Sequence, residues 1–411
     1  MMAVVTAVPP EDTPRWLEPW SLDEGADRAR ALFADAFEGE PEAIASAPGR
    51  LTIVGDHTDY SGGLTLATVT AHRTFVAARR RDDQAIRVVA TRSELVDGPG
   101  PRWEGALDAL EPGHPGWPSR VAGVLWALAE RGYPITGVDL AIDSCVPLGT
   151  GLGSSVALGA AVGRAADAVW GLALDTEAGG VELAEACWEA ENTYVGFPCG
   201  RLDPHTVLRC GDGEAALLDF SEIPPFVTRY PLYFHEYGLR LLLIDTGARR
   251  EGWRDAYARR SRAAVRAAAV LGLPSLRSLK PHEALARVDA LEDTPTRIRA
   301  RHIVSESMRV RDTIAELSGL GPAHDRFTRI GALMLESHRS LSADYRVSTA
   351  ELDLAVDSAV AAGALGARMA GAGFGGCVVA LVRTGALEQV AERVVADFAA
   401  QGYARPAFLQ V

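Results

Sequence analysis

The feature that constrains the fold most is a glycine-rich segment, 147–155, which joins a strand-like run to a helix-like run. Apolar residues alternate over 137–144, which predicts a β-strand, and Pro147 ends that pattern. An alanine-rich run at 156–170 predicts a helix. Glycines let the backbone approach a ligand closely, and the start of a helix offers free N–H groups. The segment therefore favours either a phosphate site or a tight strand-to-helix turn.

Phosphate contacts are expected from the residues just before and at the start of this helix. The candidates are Gly149, Gly151, Leu152, Gly153, Ser154 and Ser155. The segment differs from the P-loop because no lysine follows its last glycine, and it lacks the third glycine of the dinucleotide fingerprint, where Ser154 stands. A serine hydroxyl at the start of the helix can help to hold Mg²⁺ beside a bound triphosphate.

The length of 411 residues exceeds what one hydrophobic core usually supports, so two domains are expected. Helical patterns, such as those at 22–37 and 294–318, mix with strand-like ones without a strict βαβ alternation. This mixture favours an α+β fold. We place the domain boundary near residue 220, with one domain at 1–220 and the other at 221–411.

The net charge of −13 at pH 7 limits the classes of partner. Such a surface repels nucleic acid and anionic membranes, so neither is an expected partner. No apolar stretch is long enough to span a bilayer. An anionic substrate or cofactor must be captured locally, as the backbone amides at a helix start can do.

The cysteines are odd in number and show no CxxC spacing, which argues against a disulfide framework and a zinc site. They are Cys145, Cys187, Cys199, Cys210 and Cys377. Residues 1–10 lack the basic start of a signal peptide and end in two prolines. We therefore interpret them as an irregular N-terminal segment and not as a signal peptide. These features fit a cytoplasmic protein.

A short polar segment follows the strand-like residues after Arg50. Asp56, His57 and Asp59 are hydrogen-bond partners suited to vicinal hydroxyls, as in a sugar. A capped turn in which Asp59 binds its own backbone would use the same residues. A metal site is the weaker alternative, because the adjacent Asp56 and His57 would point to different faces of an extended chain.

Three further features are ambiguous when each is taken alone. Glu191 lies in a helical pattern, where a glutamate is usually solvated, and Asp203 follows in a loop, where an aspartate usually caps a turn. The glycine-rich run at 371–376 precedes a strand-like run and is typical of a hairpin or a close backbone crossing.

These segments, in this order, resemble the motifs of the GHMP kinase superfamily and, within it, of the galactokinases. The family pattern PGRVNLIGEHTDYNGG is similar to PGRLTIVGDHTDYSGG at 48–63. The family's MPCGIMDQ is similar to FPCGRLDP at 197–204. The two glycine-rich loops match the second and third motifs, and 336–348 resembles the stretch that precedes the third. The resemblance runs from about residue 47 to the end of the chain.

The resemblance implies an ATP-dependent sugar 1-kinase that makes α-D-galactose 1-phosphate from D-galactose, in a cleft between two α+β domains. It implies that Asp203 takes the proton from the sugar hydroxyl and that Arg50 is the guanidinium beside it. Ser155 and Glu191 match the ligands of Mg²⁺. Sugar contacts are implied for Asp56, His57, Asp59, Gly200 and Tyr257. The expected partners are the sugar and ATP, and we expect a monomer.

The sequence also departs from the family pattern. Asp56 is one methylene shorter than the family's glutamate, which in galactokinases grips the far hydroxyl of the sugar. Thr52 replaces an asparagine, and Pro204 replaces a glutamine and biases Asp203 towards an extended backbone. The glycine-rich loops differ at Thr150, Gly153, Ala370 and Ala372. None of these changes removes a catalytic group, so they bear on the substrate more than on the chemistry.

Three alternatives to a galactokinase follow from the sequence. The nearest is a related kinase for another sugar or a cyclitol, such as arabinose, an N-acetylhexosamine or a natural-product precursor, and the Asp56 departure motivates it. The second is a sensor that binds sugar and ATP without turnover, against which the presence of Arg50, Ser155, Glu191 and Asp203 argues. The third, a dinucleotide-dependent enzyme, is disfavoured by the composition of the loop at 147–155.

Overall fold

The computed structural model describes residues 13–91, 101–113, 116–248, 253–319 and 321–411. These residues form two compact units. One unit comprises Glu18–Leu232 and Arg254–Arg311, and the other comprises Tyr233–Trp253, Asp312–Val411 and the described part of Met1–Leu17. Each unit therefore contains segments that are distant in the sequence. The division at residue 220 stays a prediction about the chain's domains.

The described strands and helices have the following bounds. The strands are β1 (Arg15–Trp16), β2 (Ala43–Val54), β3 (Leu64–Arg80), β4 (Ala85–Ala90), β5 (Arg102–Ala106), β6 (Val138–Ser144), β7 (Glu214–Asp219), β8 (Phe226–Pro231), β9 (Leu239–Asp245), β10 (Gly366–Ala370), β11 (Cys377–Arg383) and β12 (Ala407–Gln410). The helices are α1 (Leu22–Phe37), α2 (Pro118–Glu130), α3 (Ser154–Trp170), α4 (Glu177–Glu189), α5 (Leu202–Arg209), α6 (Trp253–Val270), α7 (Pro281–Asp289), α8 (Thr294–Ser318), α9 (Ala323–Arg339), α10 (Ala350–Ala361) and α11 (Leu387–Gln401). The mixture confirms the α+β class.

The larger unit is built on a seven-stranded sheet in the order β5-β4-β6-β3-β7-β8, with β2 also paired to β3. The long strand β3 pairs with β7 through its first residues and with β6 through its last. The β2–β3 register shifts between Pro48 and Arg50, and again between Thr52 and Val54. Such irregularities bend a strand and change the direction of its side chains, and here they flank Arg50.

Helices α2, α3 and α4 contribute to one hydrophobic core with the sheet. Apolar residues at helical spacing on α2, such as Val121, Leu125 and Leu128, are buried there with Leu140 and Ile142 of β6. The predicted strand at 137–144 and the predicted helix at 156–170 are confirmed as β6 and α3. The glycine-rich segment joins the end of a core strand to the start of a core helix, so both of its ends are held by packing.

The smaller unit contains a five-stranded sheet in the order β1-β12-β9-β11-β10. The second glycine-rich run, 371–376, connects the antiparallel strands β10 and β11 and is therefore a hairpin connection. Thr246 donates a hydrogen bond of 2.7 Å to the carbonyl oxygen of Gly376 and holds the end of this connection against the end of β9. Among the described residues of the chain, no helix combines the length and apolar character needed to cross a membrane.

Candidate active site

The centre of the candidate site is a paired arginine and aspartate. Arg50 Nε lies 2.6 Å from Asp203 Oδ1, and Arg50 Nη2 lies 2.9 Å from Asp203 Oδ2. Arg50 belongs to β2 and its side chain is 9% exposed, whereas the Asp203 side chain is 33% exposed. The bidentate geometry fixes the plane of the carboxylate and places a positive charge beside it. The two residues predicted to carry the chemistry are therefore in direct contact.

Asp203 has a helical position, which corrects the expectation that Pro204 would hold it extended. Both residues belong to the first turn of α5, which begins at Leu202. A proline is tolerated there because the first N–H groups of a helix have no partner within the helix. The position of Asp203, which was predicted to lie in a loop, is therefore the start of a helix, and the predicted base has a regular backbone.

The glycine-rich loop lies against Arg50. The Arg50 N–H donates to the carbonyl oxygen of Leu152 at 2.8 Å, and Arg50 Nη1 donates to the carbonyl oxygen of Gly151. Gly153 has a φ of +70°, and a Cβ on it would lie 3.0 Å from Arg50 Cγ. Helix α3 starts at Ser154, directly after this glycine. The Arg50 side chain thus contacts both the predicted phosphate loop and Asp203, the predicted base.

The predicted metal ligands, Ser155 and Glu191, border the same small cavity. Burial raises the pKa of Glu191, and the positive charge of Arg120 opposes that effect. Arg120 Nε donates to Glu191 Oε1 at 3.1 Å. A hydroxyl and a carboxylate on one cavity are the oxygen donors that Mg²⁺ prefers beside phosphate groups, so these residues fit that ion.

Glu191 owes its position to a change in helix type. Helix α4 ends at Glu189, and a π-helical turn covers Ala190–Tyr194. Single π-turns are frequent at functional sites because the wider turn redirects side chains. Among the described residues, no cluster of three or more His, Cys, Asp or Glu side chains has the geometry of a metal site. The predicted metal site rests on the Ser155 and Glu191 pair alone.

The predicted sugar-contacting side chains lie in the turn after β2. Asp56 and His57 are buried, and His57 has a left-handed φ of +66°. His57 Nδ1 lies 3.2 Å from the hydroxyl oxygen of Tyr60. The His57 ring centroid lies 5.6 Å from the ring of Tyr257, which comes from α6. Tyr257 therefore joins this cluster from a segment distant in sequence, as the resemblance implies.

Asp59, a predicted sugar contact, lies near the carboxylate of the predicted base, Asp203. Burial, together with the negative charges of Asp203 and Asp56, raises the pKa of Asp59 to about 7. A Cβ on Gly200 would lie 1.6 Å from Asp59 Oδ2. Only glycine at position 200 allows this approach. Of the residues predicted to contact the sugar, Asp59 thus lies against Gly200 and within range of the Asp203 charge.

The segment before α5 is held by side chains that were not predicted. Trp188 Nε1 donates to the carbonyl oxygen of Cys199 at 3.0 Å, and Asn192 makes hydrogen bonds with both backbone groups of Cys199. Arg201 stacks on the Trp188 ring at 3.6 Å and donates to both carboxylate oxygens of Glu185. These contacts fix the backbone on both sides of Gly200.

Several residues that shape the site escaped prediction from the sequence. Tyr60 contacts His57, Arg120 contacts Glu191, and Glu306 binds the backbone of Gly55. The spacing of His302, Glu306 and Arg309 places them on one face of a helix, and that was the available signal for a buried polar cluster. For Arg120 no pattern pointed to the site, because it comes from a different helix.

Comparisons with known proteins indicate one family. Residues 31–80 match the galactokinase galactose-binding signature, residues 119–211 match the GHMP kinases N terminal domain, and residues 317–400 match the GHMP kinases C terminal model. The chain is 37% identical to a galactokinase of Streptomyces coelicolor, over 91% of this chain and 93% of that protein. It is 39% identical to a galactokinase of Mycobacterium bovis, over 88% of this chain and 94% of that protein.

A solved structure gives the same result. The crystal structure of Lactococcus lactis galactokinase complexed with galactose superposes with a TM-score of 0.81 and is 28% identical in sequence. The superposition covers 93% of this chain and 97% of that one. With the signature, the two kinase-domain matches and identities above a third over most of its length, the chain belongs to the galactokinase family of the GHMP kinases.

Proposed function

We propose that this protein transfers the γ-phosphoryl group of ATP to the anomeric hydroxyl of D-galactose, giving α-D-galactose 1-phosphate and ADP. The observation that carries the proposal is the bidentate contact of Arg50 with Asp203, beside the glycine-rich loop. The galactokinase relatives and the galactose-bound structure of the Lactococcus lactis protein support galactose as the substrate.

Asp203 is the acceptor of the hydroxyl proton in this proposal. As the anomeric oxygen attacks the γ-phosphorus, its proton passes to a carboxylate oxygen of Asp203, and the bond to the leaving β-phosphate oxygen breaks. Arg50 orients the carboxylate before the transfer and offsets negative charge in the transition state. Most of the remaining catalysis consists of positioning and charge neutralisation, as in other phosphoryl transfers.

The nucleotide phosphates are bound by the loop before α3. The N–H groups at the start of α3 and of the glycine-rich loop suit an anion, and the net negative charge of the protein makes such local capture necessary. Ser155 and Glu191 would hold Mg²⁺, which when bound neutralises charge on the phosphate oxygens. The fit of these two residues to the ion supports this assignment.

The sugar is bound by the turn after β2 and by Gly200 and Tyr257. The carboxylates of Asp56 and Asp59 accept hydrogen bonds from sugar hydroxyls, and His57 and Tyr257 provide ring surface and polar atoms. Asp56 favours a second candidate, a galactokinase-like kinase for another sugar or a cyclitol. Its side chain is buried and is one methylene shorter than the family's glutamate. A buried polar group that loses a partner discriminates strongly between substrates.

The experiment that tests the proposal is ADP release with ATP and Mg²⁺ over a panel of acceptors. The panel contains galactose, 2-deoxygalactose, glucose, arabinose, N-acetylgalactosamine and several cyclitols. Preference for galactose would support the main proposal, and activity on another acceptor alone would move the function to that compound. Tight binding of galactose and ATP with no ADP release from any acceptor would favour a sensor. The cytoplasmic location and the monomeric state stay predictions.

A further inference from the structure

An arginine to which no motif assigns a role borders the cavity beside Ser155. Arg120 lies in the first turn of α2 and borders this cavity with Ser155 and Glu191. Among the described residues around the cavity, Arg120 is the one arginine or lysine and Glu191 the one carboxylate. Their side chains are 25% and 13% exposed, so both charges are largely removed from water.

The hydrogen bonds of Arg120 leave part of its guanidinium available. Its Nε donates to Glu191 Oε1 at 3.1 Å, whereas its two terminal nitrogens donate to no group in the described part of the chain. A guanidinium carries five N–H donors in a planar fork that fits two oxygens of a phosphate. One edge of Arg120 therefore serves Glu191, and the other can receive an anion.

The position of this second edge of the Arg120 guanidinium indicates which anion it would bind. Ser155 belongs to the first turn of α3, where free backbone N–H groups favour phosphate, and it borders the same cavity as Arg120. In the proposed function this cavity lies beside the ATP phosphates. A guanidinium near a phosphate in a partly dry site makes a stronger contact than it would in water.

We propose that Arg120 is a nucleotide-binding residue that contacts a phosphate oxygen of ATP through its terminal nitrogens while its Nε holds Glu191. This inference rests on the proposed function. It assigns Arg120 to the ATP site, in addition to the residues that the family motifs indicate. The contact contributes to ATP affinity even without Mg²⁺, because a guanidinium binds phosphate directly.

The test is isothermal titration calorimetry with ATP in the presence of EDTA. The decisive comparison is between Glu191→Gln and the double variant Arg120→Gln, Glu191→Gln. In this background the removal of Arg120 leaves no buried carboxylate uncompensated, so the change in affinity reports the phosphate contact. We expect the double variant to bind ATP about tenfold more weakly, or worse, than Glu191→Gln. Galactose affinity, measured in the same way, should change by less than about twofold.

Arg131→Gln is the matched control. Arg131 directly follows the same helix and forms ion pairs with Glu182 and Glu189, outside the cavity. Its ATP affinity should stay within about twofold of the wild-type value. If the double variant does not fold, by circular dichroism, Arg120→Met in the Glu191→Gln background keeps the apolar stem and should show the same loss.

Equal Mg²⁺-free ATP affinities of Glu191→Gln and either double variant, within about twofold, would overturn the proposal and leave Arg120 as a counter-ion of Glu191. A wild-type protein that binds no ATP under any condition would overturn the proposed function itself. The two failures are distinguishable, because only the second affects the wild-type protein.

Discussion

Glu306 Oε1 accepts a hydrogen bond of 2.9 Å from the backbone N–H of Gly55, which is 251 positions earlier in the chain. The other oxygen of Glu306 accepts from Arg309 Nε at 2.7 Å, and His302 Nε2 lies 3.2 Å from the carbonyl oxygen of Asp56. Burial lowers the pKa of His302 to about 3, so its ring is neutral. One face of α8 thus holds the backbone of the turn that we propose to contact the sugar.

Glu306→Ala should destabilise the protein by about 3 kcal/mol or more, because it leaves the Arg309 charge and the Gly55 N–H buried without this partner. The measurement is the free energy of unfolding from urea titration. Asp312→Ala, an exposed position on the same helix, should change it by less than about 0.5 kcal/mol. Similar small effects for both variants would contradict a structural role of Glu306.

Asp203→Asn should lower turnover by at least about 100-fold, because the amide cannot take the hydroxyl proton. ATP affinity should be largely preserved, since Asp203 contacts Arg50 and not the glycine-rich loop. The measurements are ADP release and calorimetry with ATP. Asp212→Asn is the control, because Asp212 forms an exposed pair with Arg73. Wild-type turnover in Asp203→Asn would remove Asp203 as the base.

Asp59 makes stability depend on pH. Its pKa is raised to about 7 by burial and by the charges of Asp203 and Asp56, whereas an unfolded aspartate titrates near 4. Between these values the folded protein binds the proton and the unfolded chain does not, so this contribution to stability is lost as the pH rises towards 7. Asp59→Asn should therefore raise the melting temperature relative to wild type at pH 8 and not at pH 4. An equal difference at both pH values would refute this account.

Asp56→Glu should shift the acceptor preference measured by ADP release over the sugar panel. The longer carboxylate reaches further into the sugar pocket, so acceptors that need the extra space should lose activity relative to galactose. Discrimination between acceptors should change by about tenfold or more. Relative activities that match the wild-type profile would show that the substitution found in this chain does not set specificity.

Glu191→Ala should increase the Mg²⁺ concentration required for half-maximal turnover by about tenfold or more, because even groups that only support a metal ligand contribute about that much. The measurement is ADP release against Mg²⁺ at constant ATP. Glu189→Ala is the control, since Glu189 precedes the π-helical turn and pairs with Arg131. An unchanged Mg²⁺ requirement would exclude Glu191 as a ligand.

The sequence alone determined the local elements and the set of chemical groups. Apolar periodicity predicted α1 at 22–37, α8 at 294–318 and the strand before the glycine-rich loop, because helices and strands bury side chains at fixed spacings. The motifs around Arg50 and Asp203 predicted the reacting groups, because the residue type alone fixes which functional group a side chain carries.

Only the tertiary structure decided which distant residues meet. Arg50 and Asp203 are 153 positions apart, and their contact depends on a register shift in β2 and on the first turn of α5. The local bias of Pro204 towards an extended Asp203 is outweighed by the packing that starts α5 there. Arg120 carries no local signal of its role, because its partner Glu191 lies on another element. The spacing on α8 indicates a polar cluster around Glu306 but does not reveal its partner Gly55. Packing selects these contacts because it buries apolar surface and satisfies hydrogen bonds. The residues adjacent in sequence do not determine either of these effects.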